Sequence, residues 1–228
     1  MKKHKNSWRE AMRLRNIPRA DECIANHALS VSTTEMKENK GKWRVVFAND
    51  APIHIEIGMG KGQFILTLAK QNPEINYIGI ERYSSVLLRA LEKYDTEEFG
   101  ELKNIRFICM DARELSEVFD IEEVAKIYLN FSDPWPKFRH ASRRLPSKEF
   151  LARYDKVLAK DGVVEFKTDN RGLFEFALEE VQEAKWILEA HTFDLHHDDT
   201  MNVGNVMTEY EAKFSSMGNP IHKLIIRR

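Results

Sequence analysis

Short apolar runs alternate with amphipathic stretches along the chain from residue 53 onward. Apolar runs bounded by turn residues predict buried strands, whereas apolar residues three and four positions apart predict helices. The pattern predicts strands at 53–57, 76–81, 105–110, 126–131, 163–168, 191–196 and 221–226. It predicts helices at 63–70, 83–94, 150–158, 173–189 and 208–216. Strands that alternate with helices indicate an α/β fold with a mainly parallel sheet.

The first 42 residues show little periodicity and are predicted to lie outside this sheet. Residues 1–19 hold seven Lys or Arg and one acid, and residues 32–42 are polar enough for a linker. We therefore predict a basic N-terminal arm and linker at 1–42 and one domain at 43–228. A solubilising arm and a substrate-binding arm both remain open.

Composition limits the class of protein. A chain of 228 residues with 43% hydrophobic and 31% charged residues is typical of a soluble protein with one core. No apolar run approaches the roughly 20 residues of a membrane helix, and the polar N-terminus does not resemble a secretory signal. Two cysteines indicate a reduced, cytoplasmic chain. A net charge of −1 excludes an indiscriminate nucleic-acid binder, so any RNA would have to bind local basic patches.

Acidic residues stand in or just after five predicted strands. In an open parallel sheet, ligands bind beyond the carboxyl ends of the strands. Chance placement of loop acids explains one or two of these positions well, and five in order much less well. The five acids are Glu56, Glu81, Asp111, Asp133 and Asp169.

A glycine-rich turn follows the first strand of the domain. Gly58, Gly60 and Gly62 let the backbone approach a ligand closely, but Gln63 stands where a dinucleotide fingerprint has its third glycine. Glu56 would repel a pyrophosphate and attract an amino group, and Glu81 is placed to accept hydrogen bonds from ribose hydroxyls. The spacing therefore favours S-adenosylmethionine over NAD, and an NAD oxidoreductase is the least favoured class.

The stretch 130–144 carries an acid, an aromatic ring and several cations in one loop. Pro134 and Pro136 end the preceding strand and stiffen the loop around Asp133 and Trp135. Five cations and no carboxylate stand between positions 137 and 148, which extend past this stretch: Lys137, Arg139, Arg143, Arg144 and Lys148. This combination indicates a site for a substrate that contains both phosphate and a ring.

For three further motifs, a structural explanation competes with a functional one. Asp169 could cap a helix or contact a ligand, and its place beside the preceding strand end favours the ligand. Thr208 and Glu211 match a capping box, which spacing alone favours. The run 196–199, His-His-Asp-Asp, lacks a third ligand group at metal spacing and is interpreted as solvated loop, so no metal is expected. Trp43 and Trp186 are expected in the core.

Read together, these motifs resemble the bacterial tRNA (guanine-N7-)-methyltransferases over roughly residues 41 to 226. The matching segments are HIEIGMGKG at 54–62, YIGIE at 77–81, the stretch 130–144, FKTDNRG at 166–172 and TEYE at 208–211. The family usually has a basic residue at the position of Ala141 or Ser142, so this basic run is thinner than the family pattern.

The resemblance implies a Rossmann-like class I methyltransferase fold, with a seven-stranded, mostly parallel sheet whose last strand is antiparallel and with helices on both faces. It implies methyl transfer from S-adenosylmethionine to N7 of a guanine in the variable loop of tRNA, position 46 in standard tRNA numbering. The implied cofactor contacts are Glu56, Glu81, Asp111 and Asp133. The implied substrate contacts are Lys137, Asp169 and the segment Thr208, Glu209, Tyr210 and Glu211, with Arg139, His140, Ala141, Ser142, Arg143 and Arg144 as the RNA-binding run. Partners are tRNA only, and the chain could be a monomer or a homodimer.

For that reaction we expect Asp133 to be the catalytic residue, stabilising positive charge as it moves from sulfur to the purine. Five phosphate contacts would give a log–log salt slope of roughly −3.5 to −4.5 for tRNA binding. Two alternatives remain. Asp133-Pro134-Trp135 resembles the acid/amide-Pro-aromatic loop of enzymes that methylate an exocyclic amine, and a non-catalytic RNA-binding protein could keep the same fold.

Overall fold

The computed structural model describes residues 17–96 and 98–228, and within them eight strands form one sheet. The strands are β1 Ser30–Val31, β2 Ile53–Ile57, β3 Asn76–Glu81, β4 Ile105–Cys109, β5 Val124–Asn130, β6 Leu158–Thr168, β7 Ile187–Thr192 and β8 His222–Arg227. Their order in the sheet is β1-β4-β3-β2-β5-β6-β8-β7. Strand β8 runs antiparallel to both neighbours, whereas the other pairings are parallel.

Nine α-helices lie in the described residues. They are α1 Ala20–Ala25, α2 Thr33–Glu38, α3 Trp43–Phe47, α4 Gln63–Gln71, α5 Ser84–Tyr94, α6 Leu115–Val118, α7 Lys148–Val157, α8 Arg171–Glu183 and α9 Glu209–Ser215. Short 3-10 helices cover Ala112–Glu114, Phe138–Arg143 and Leu195–His197. No described helix is long and apolar enough to cross a membrane.

Two apolar clusters place helices on both faces of the sheet. Successive residues of one strand face opposite sides of the sheet, so Tyr77 and Ile78 enter different clusters. The cluster around Ile78 also takes the buried faces of α7 and α8, and Trp43 lies fully buried within it. The cluster around Tyr77 takes α4 and α5. The predicted α/β fold, the antiparallel last strand and a core position for Trp43 are therefore confirmed.

The region 17–42 differs from its sequence-based interpretation as arm and linker. Met36 of α2 is 1% exposed and belongs to the core, and Ser32 caps that helix in a complete capping box. The two residues of β1 extend the seven predicted strands to eight. The linker prediction for 32–42 is thus wrong in its secondary structure. Most of the basic segment, residues 1–16, lies outside the described residues, and the division at residue 42 stays a prediction.

The long helix predicted at 173–189 ends early, at Glu183. Lys185 takes the left-handed region at φ +59°, and the N–H of Trp186 donates to the Val181 carbonyl at 3.0 Å. This is a helix-ending motif that usually contains glycine, so a lysine at this position did not predict the end of the helix. Strand β7 consequently begins four residues before the predicted start. Trp186 packs against the core from this turn rather than from a helix.

Candidate active site

The strand-end acids gather at one edge of the sheet. Glu56 lies in β2, Glu81 is the last residue of β3, Asp133 follows β5, and Asp169 follows β6. These four strands are neighbours and parallel, so their carboxyl ends share one edge. Burial raises the pKa of Glu81, and the charge of Asp133 contributes to the same shift. The structure therefore brings Glu56, Glu81 and Asp133 together at one edge of the sheet, which is the candidate cleft of the site.

Glu56 is the most deeply buried of these acids, at 1% exposure. Asn130 Nδ2 donates to its Oε1 at 2.8 Å, but its Oε2 is buried without a hydrogen-bond partner. Loss of hydration raises the pKa of Glu56 to about 8, with a smaller contribution from the charge of Glu81. A buried acceptor without a partner is costly, so this oxygen is prepared for a donor that a ligand would bring.

The glycine turn leaves room for a ligand beside its backbone. Gly58 and Gly60 have φ of +73° and +60°, and a methyl group added at either would meet no atom within 4 Å. Gly62 has a different reason, because a Cβ there would lie 2.8 Å from that of Ala90. The Gly60 N–H donates to Glu81 Oε2 at 3.1 Å and fixes the turn against β3.

Glu81 and Asp111 already accept hydrogen bonds from the protein. Glu81 Oε1 accepts from the N–H groups of Arg82 and Tyr83 at 2.8 and 3.0 Å. The Asp111 carboxylate accepts two hydrogen bonds from the Arg113 guanidinium, which holds the pKa of Asp111 below its usual range. Each carboxylate oxygen can accept more than one hydrogen bond, so both acids keep capacity for a ligand.

The loop that carries Asp133 is held in an unusual backbone conformation. Phe131 and Trp135 have φ of +52° and +39°, which is strained for residues with side chains. The Phe131 N–H donates to the Lys167 carbonyl at 2.8 Å. The Arg144 guanidinium donates to the carbonyls of Pro134 and Trp135 at 3.0 and 3.1 Å. Asp133 itself is exposed, so a rigid loop presents a solvated carboxylate to the cleft.

The predicted basic run divides into exposed and engaged cations. Lys137, Arg139 and Arg143 are exposed beside Phe138, which is 91% exposed. Arg144 is half-buried in its contacts with the Asp133 loop. Its guanidinium carbon also lies 4.3 Å from the centre of the Phe176 ring. The structure therefore gives Arg144 a role within the protein that the sequence did not indicate.

The other residues of the basic run also differ in exposure and contacts. Lys148 Nζ pairs with Glu183 at 2.8 Å. His140, Ala141 and Ser142 lie in the 3-10 helix between Arg139 and Arg143, with the first two half-buried and Ser142 exposed. Lys137, Arg139 and Arg143 are thus exposed; Arg139 Nε donates to His140 Nε2 at 3.4 Å, and Arg143 lies over the Trp135 ring. Lys148 is also exposed but forms an ion pair.

The segment after β6 shows that Asp169 is not the residue that caps α8, and its contact with a ligand stays a prediction. Asn170 caps α8, because its Oδ1 accepts from the Leu173 N–H at 2.9 Å. Asp169 is left beside the cleft, where its Oδ2 accepts from the Tyr210 hydroxyl at 3.3 Å. The Tyr210 ring also lies 4.8 Å from that of Phe131. The structure thus joins Asp169 to the Thr208–Glu211 segment.

Thr208 begins α9 as predicted, but the capping box is only half formed. Thr208 Oγ1 accepts from the Glu211 N–H at 2.9 Å. The Glu211 carboxylate instead meets Lys167 Nζ at 2.6 Å, and both side chains are fully buried. Sequence reasoning missed Lys167, although a lysine inside the apolar run of β6 was a signal of buried pairing.

The His-His-Asp-Asp run, interpreted from the sequence as solvated loop, instead begins inside a short helix. His196 and His197 belong to the 3-10 helix Leu195–His197, and Asp198 and Asp199 follow it. His197 Nδ1 lies 3.0 Å from Asp194 Oδ2, and Asp198 accepts from the backbone N–H groups of Thr200 and Met201. His196 Nε2 lies 3.3 Å from Glu211 Oε1 without hydrogen-bond geometry. Among residues 17–96 and 98–228, no three His, Cys, Asp or Glu side chains are grouped to hold a metal ion.

Comparison with known proteins identifies the family of the chain. A family model described as "Putative methyltransferase" matches residues 50–224. The tRNA (guanine-N(7)-)-methyltransferase of Lachnoclostridium phytofermentans is 61% identical over 217 residues, which cover 95% of this chain and 99% of the relative. The enzyme of the same name from Bacillus subtilis is 49% identical and covers 93% of this chain and 97% of the relative.

Solved structures support the fold alone, because their identities are low. An antibiotic-related methyltransferase superposes with a TM-score of 0.62 at 19% identity and covers 89% of this chain and 96% of that structure. The 16S rRNA methyltransferase KamB gives 0.60 at 14% identity and covers 81% of this chain and 91% of its own. With a Rossmann-like methyltransferase fold and relatives at this identity and coverage, the chain belongs to the bacterial tRNA (guanine-N(7)-)-methyltransferase family.

Proposed function

We propose that this enzyme transfers a methyl group from S-adenosylmethionine to N7 of a guanine in the variable loop of tRNA, in the cytoplasm. The observation that carries the proposal is the convergence of Glu56, Glu81 and Asp133 at the edge of the sheet beside an open glycine turn. The family relatives support the reaction by their names.

The residues present fit this cofactor. The unpartnered Oε2 of Glu56 suits the amino group of the methionine part, and Glu81 suits the ribose hydroxyls. Gly58 and Gly60 leave space along their backbone for close approach. When bound, S-adenosylmethionine supplies a methyl group on positively charged sulfur, whose transfer breaks a C–S bond, forms a C–N7 bond and leaves the positive charge on the purine.

Within this reaction the chain aligns groups and balances charge. Guanine N7 has an exposed lone pair and no proton to lose, so the enzyme needs no general base at that atom. Asp133 stabilises positive charge on both sides of the transfer, and its stiff loop keeps it oriented beforehand. Asp169 can accept hydrogen bonds from the N1–H and amino group of guanine.

The exposed cations of the loop suit the tRNA backbone. Lys137, Arg139 and Arg143 are free to contact phosphates, which fixes the position of the RNA without reading its sequence. Arg143 lies over the Trp135 ring at 5.2 Å, next to the Asp133 loop. Phosphate contact and delivery of the base are thus linked through one loop.

Salt dependence should separate the exposed cations from the engaged ones. We expect alanine at Lys137, Arg139 or Arg143 to reduce the magnitude of the log–log salt slope of tRNA binding by about 0.7–0.9 each, one phosphate contact apiece. Lys148→Ala is the matched control and should leave the slope unchanged, because Lys148 pairs with Glu183. An equal reduction of the salt slope by Lys148→Ala and by the other three alanine variants would contradict the distinction between Lys148 and those three cations.

Cofactor binding should release a proton from Glu56. With its pKa near 8, this carboxyl group is mostly protonated at pH 7 in the free enzyme. A neighbouring ammonium group favours the carboxylate, so affinity should rise as the pH increases towards 8. Calorimetry at pH 7 in two buffers of different ionisation enthalpy measures the release. Identical binding enthalpies for the wild type in both buffers would contradict it, and Glu56→Gln should show no release.

The same titration tests the proposed function against a non-catalytic RNA-binding protein. We expect one S-adenosylmethionine site per chain and methyl transfer into bulk tRNA from labelled cofactor. A protein that had kept only the fold would bind no cofactor, and that result would end the proposal.

A further inference from the structure

Two lysines hold the segment from Thr208 to Glu211, one at each of its acids. Lys167 of β6 pairs with Glu211, and Lys93 of α5 pairs with Glu209. The resemblance to the family implies that this whole segment contacts substrate. In the structure, however, both of its carboxylates are already bound to cations of the fold.

Lys167 connects this segment to the Asp133 loop. Its three N–H donors are used by Glu211 Oε2 at 2.6 Å, Asn205 Oδ1 at 3.0 Å and the Val206 carbonyl at 2.9 Å. Its own carbonyl accepts from the Phe131 N–H, two residues before Asp133. One residue therefore fixes both the Asp133 loop and the start of α9. Glu211 is fully buried beneath them, so its carboxylate has no surface with which to touch a guanine.

Lys93 connects the same segment to the cofactor side. Its ammonium also donates to Gln63 Oε1 at 2.8 Å, and Gln63 is the first residue of α4 after the glycine turn. The Lys93 side chain is only 19% exposed, whereas that of Glu209 is 50% exposed. Partial burial makes this ion pair stronger than a solvated surface pair.

We propose that Glu209 and Glu211 are positioning residues, which act through Lys93 and Lys167 to hold Thr208 and Tyr210 over the cleft. The inference rests on the proposed function and reassigns two of the residues that the family resemblance places on the substrate. Tyr210 then holds Asp169 through its hydroxyl, so the two lysines indirectly orient the acid that faces the guanine edge.

Of the two ion pairs, the partly exposed one between Lys93 and Glu209 can be tested by exchanging its charges. We expect Lys93→Glu and Glu209→Lys each to raise the KM for tRNA about five- to tenfold, the loss of one partly buried charged hydrogen bond. The double variant restores the pair in reverse and should return KM to within about twofold of the wild type. Calorimetric affinity for S-adenosylhomocysteine should stay unchanged in all three.

Two controls accompany the exchange. Arg89→Glu makes the same change of charge on the same helix, at a surface pair with Glu92, and should leave KM unchanged. Glu209→Lys alone separates the loss of the ion pair from a simple gain of positive charge near RNA. Added positive charge by itself would lower the KM for tRNA, whereas loss of the ion pair should raise it. Thermal unfolding of each variant shows whether the fold is kept.

The outcomes decide the assignment. Recovery in the double variant supports positioning through Lys93. A double variant as impaired as Glu209→Lys means that Glu209 itself contacts the substrate, and the proposal fails. It also fails if both single variants behave as the wild type. A wild-type enzyme that binds no S-adenosylhomocysteine would instead overturn the proposed function.

Discussion

Asp133→Ala is expected to lower kcat at least about a hundredfold while the dissociation constant for tRNA stays within about threefold. In the proposed mechanism the carboxylate acts on charge that moves during methyl transfer, and removal of one preorganised charged group at such a position costs about 10²–10³ in rate. In the proposed function, tRNA binding depends on Lys137, Arg139 and Arg143, which lie in or next to the 3-10 helix Phe138–Arg143 and which this change leaves in place.

Rapid-quench turnover and filter binding measure the two quantities separately. Asp161→Asn is the matched control, since this exposed acid lies within β6, seven residues before its last residue, Thr168, where the cleft begins. Near-normal turnover by Asp133→Ala would remove this residue from the mechanism. Loss of tRNA binding and turnover together would show that the change had collapsed the loop rather than removed a charge.

Glu211→Leu is expected to destabilise the protein by about 3–5 kcal/mol, because it leaves the Lys167 ammonium buried without its counter-charge. Burial already lowers the pKa of Lys167, and the Glu211 carboxylate opposes that shift. Removal of the carboxylate therefore exposes the full cost of burying the cation. Urea unfolding at equilibrium measures the change.

The double change Lys167→Met and Glu211→Leu should recover most of that stability. Replacement of a buried ion pair by apolar groups is often neutral or stabilising, although Asn205 and the Val206 carbonyl would lose a donor here. A double variant no more stable than Glu211→Leu would contradict the account of this pair. Its tRNA kinetics should remain impaired, because apolar contact does not reproduce the geometry of the hydrogen bonds.

The sequence predicted β2 to β6 and β8 because each of these strands contains an apolar run closed by turn residues. Strand β7 is largely polar and exposed, and only two of its residues fall in the strand predicted at 191–196. The sequence missed α1, β1 and α2. These elements are six, two and six residues long, which is too short for a hydrophobic period to be recognised. It extended α8 because Lys185, rather than glycine, adopts the left-handed turn that ends the helix. Hydrophobic periodicity and helix-ending residues do not predict the backbone where tertiary contacts determine it.

In the candidate site, too, the residues marked by local sequence patterns were predictable, and the long-range contacts were not. Glu56, Glu81 and Asp133 were predictable because each lies where an apolar strand ends, and parallel topology then brings such positions together. The partnership of Lys167 with Glu211 spans 44 residues, and the engagement of Arg144 depends on how the Asp133 loop folds back. No pattern of neighbouring residues shows either contact.

The central claim is that this cleft delivers guanine N7 to the methyl group of S-adenosylmethionine. The most direct measurement is to methylate an unmodified tRNA transcript with labelled cofactor, cleave at 7-methylguanosine by borohydride and aniline, and identify the digested nucleoside. We predict one labelled 7-methylguanosine, in the variable loop, and loss of the label with Asp133→Ala. Label on an exocyclic amine, or no transfer by an enzyme that binds the cofactor, would contradict the account.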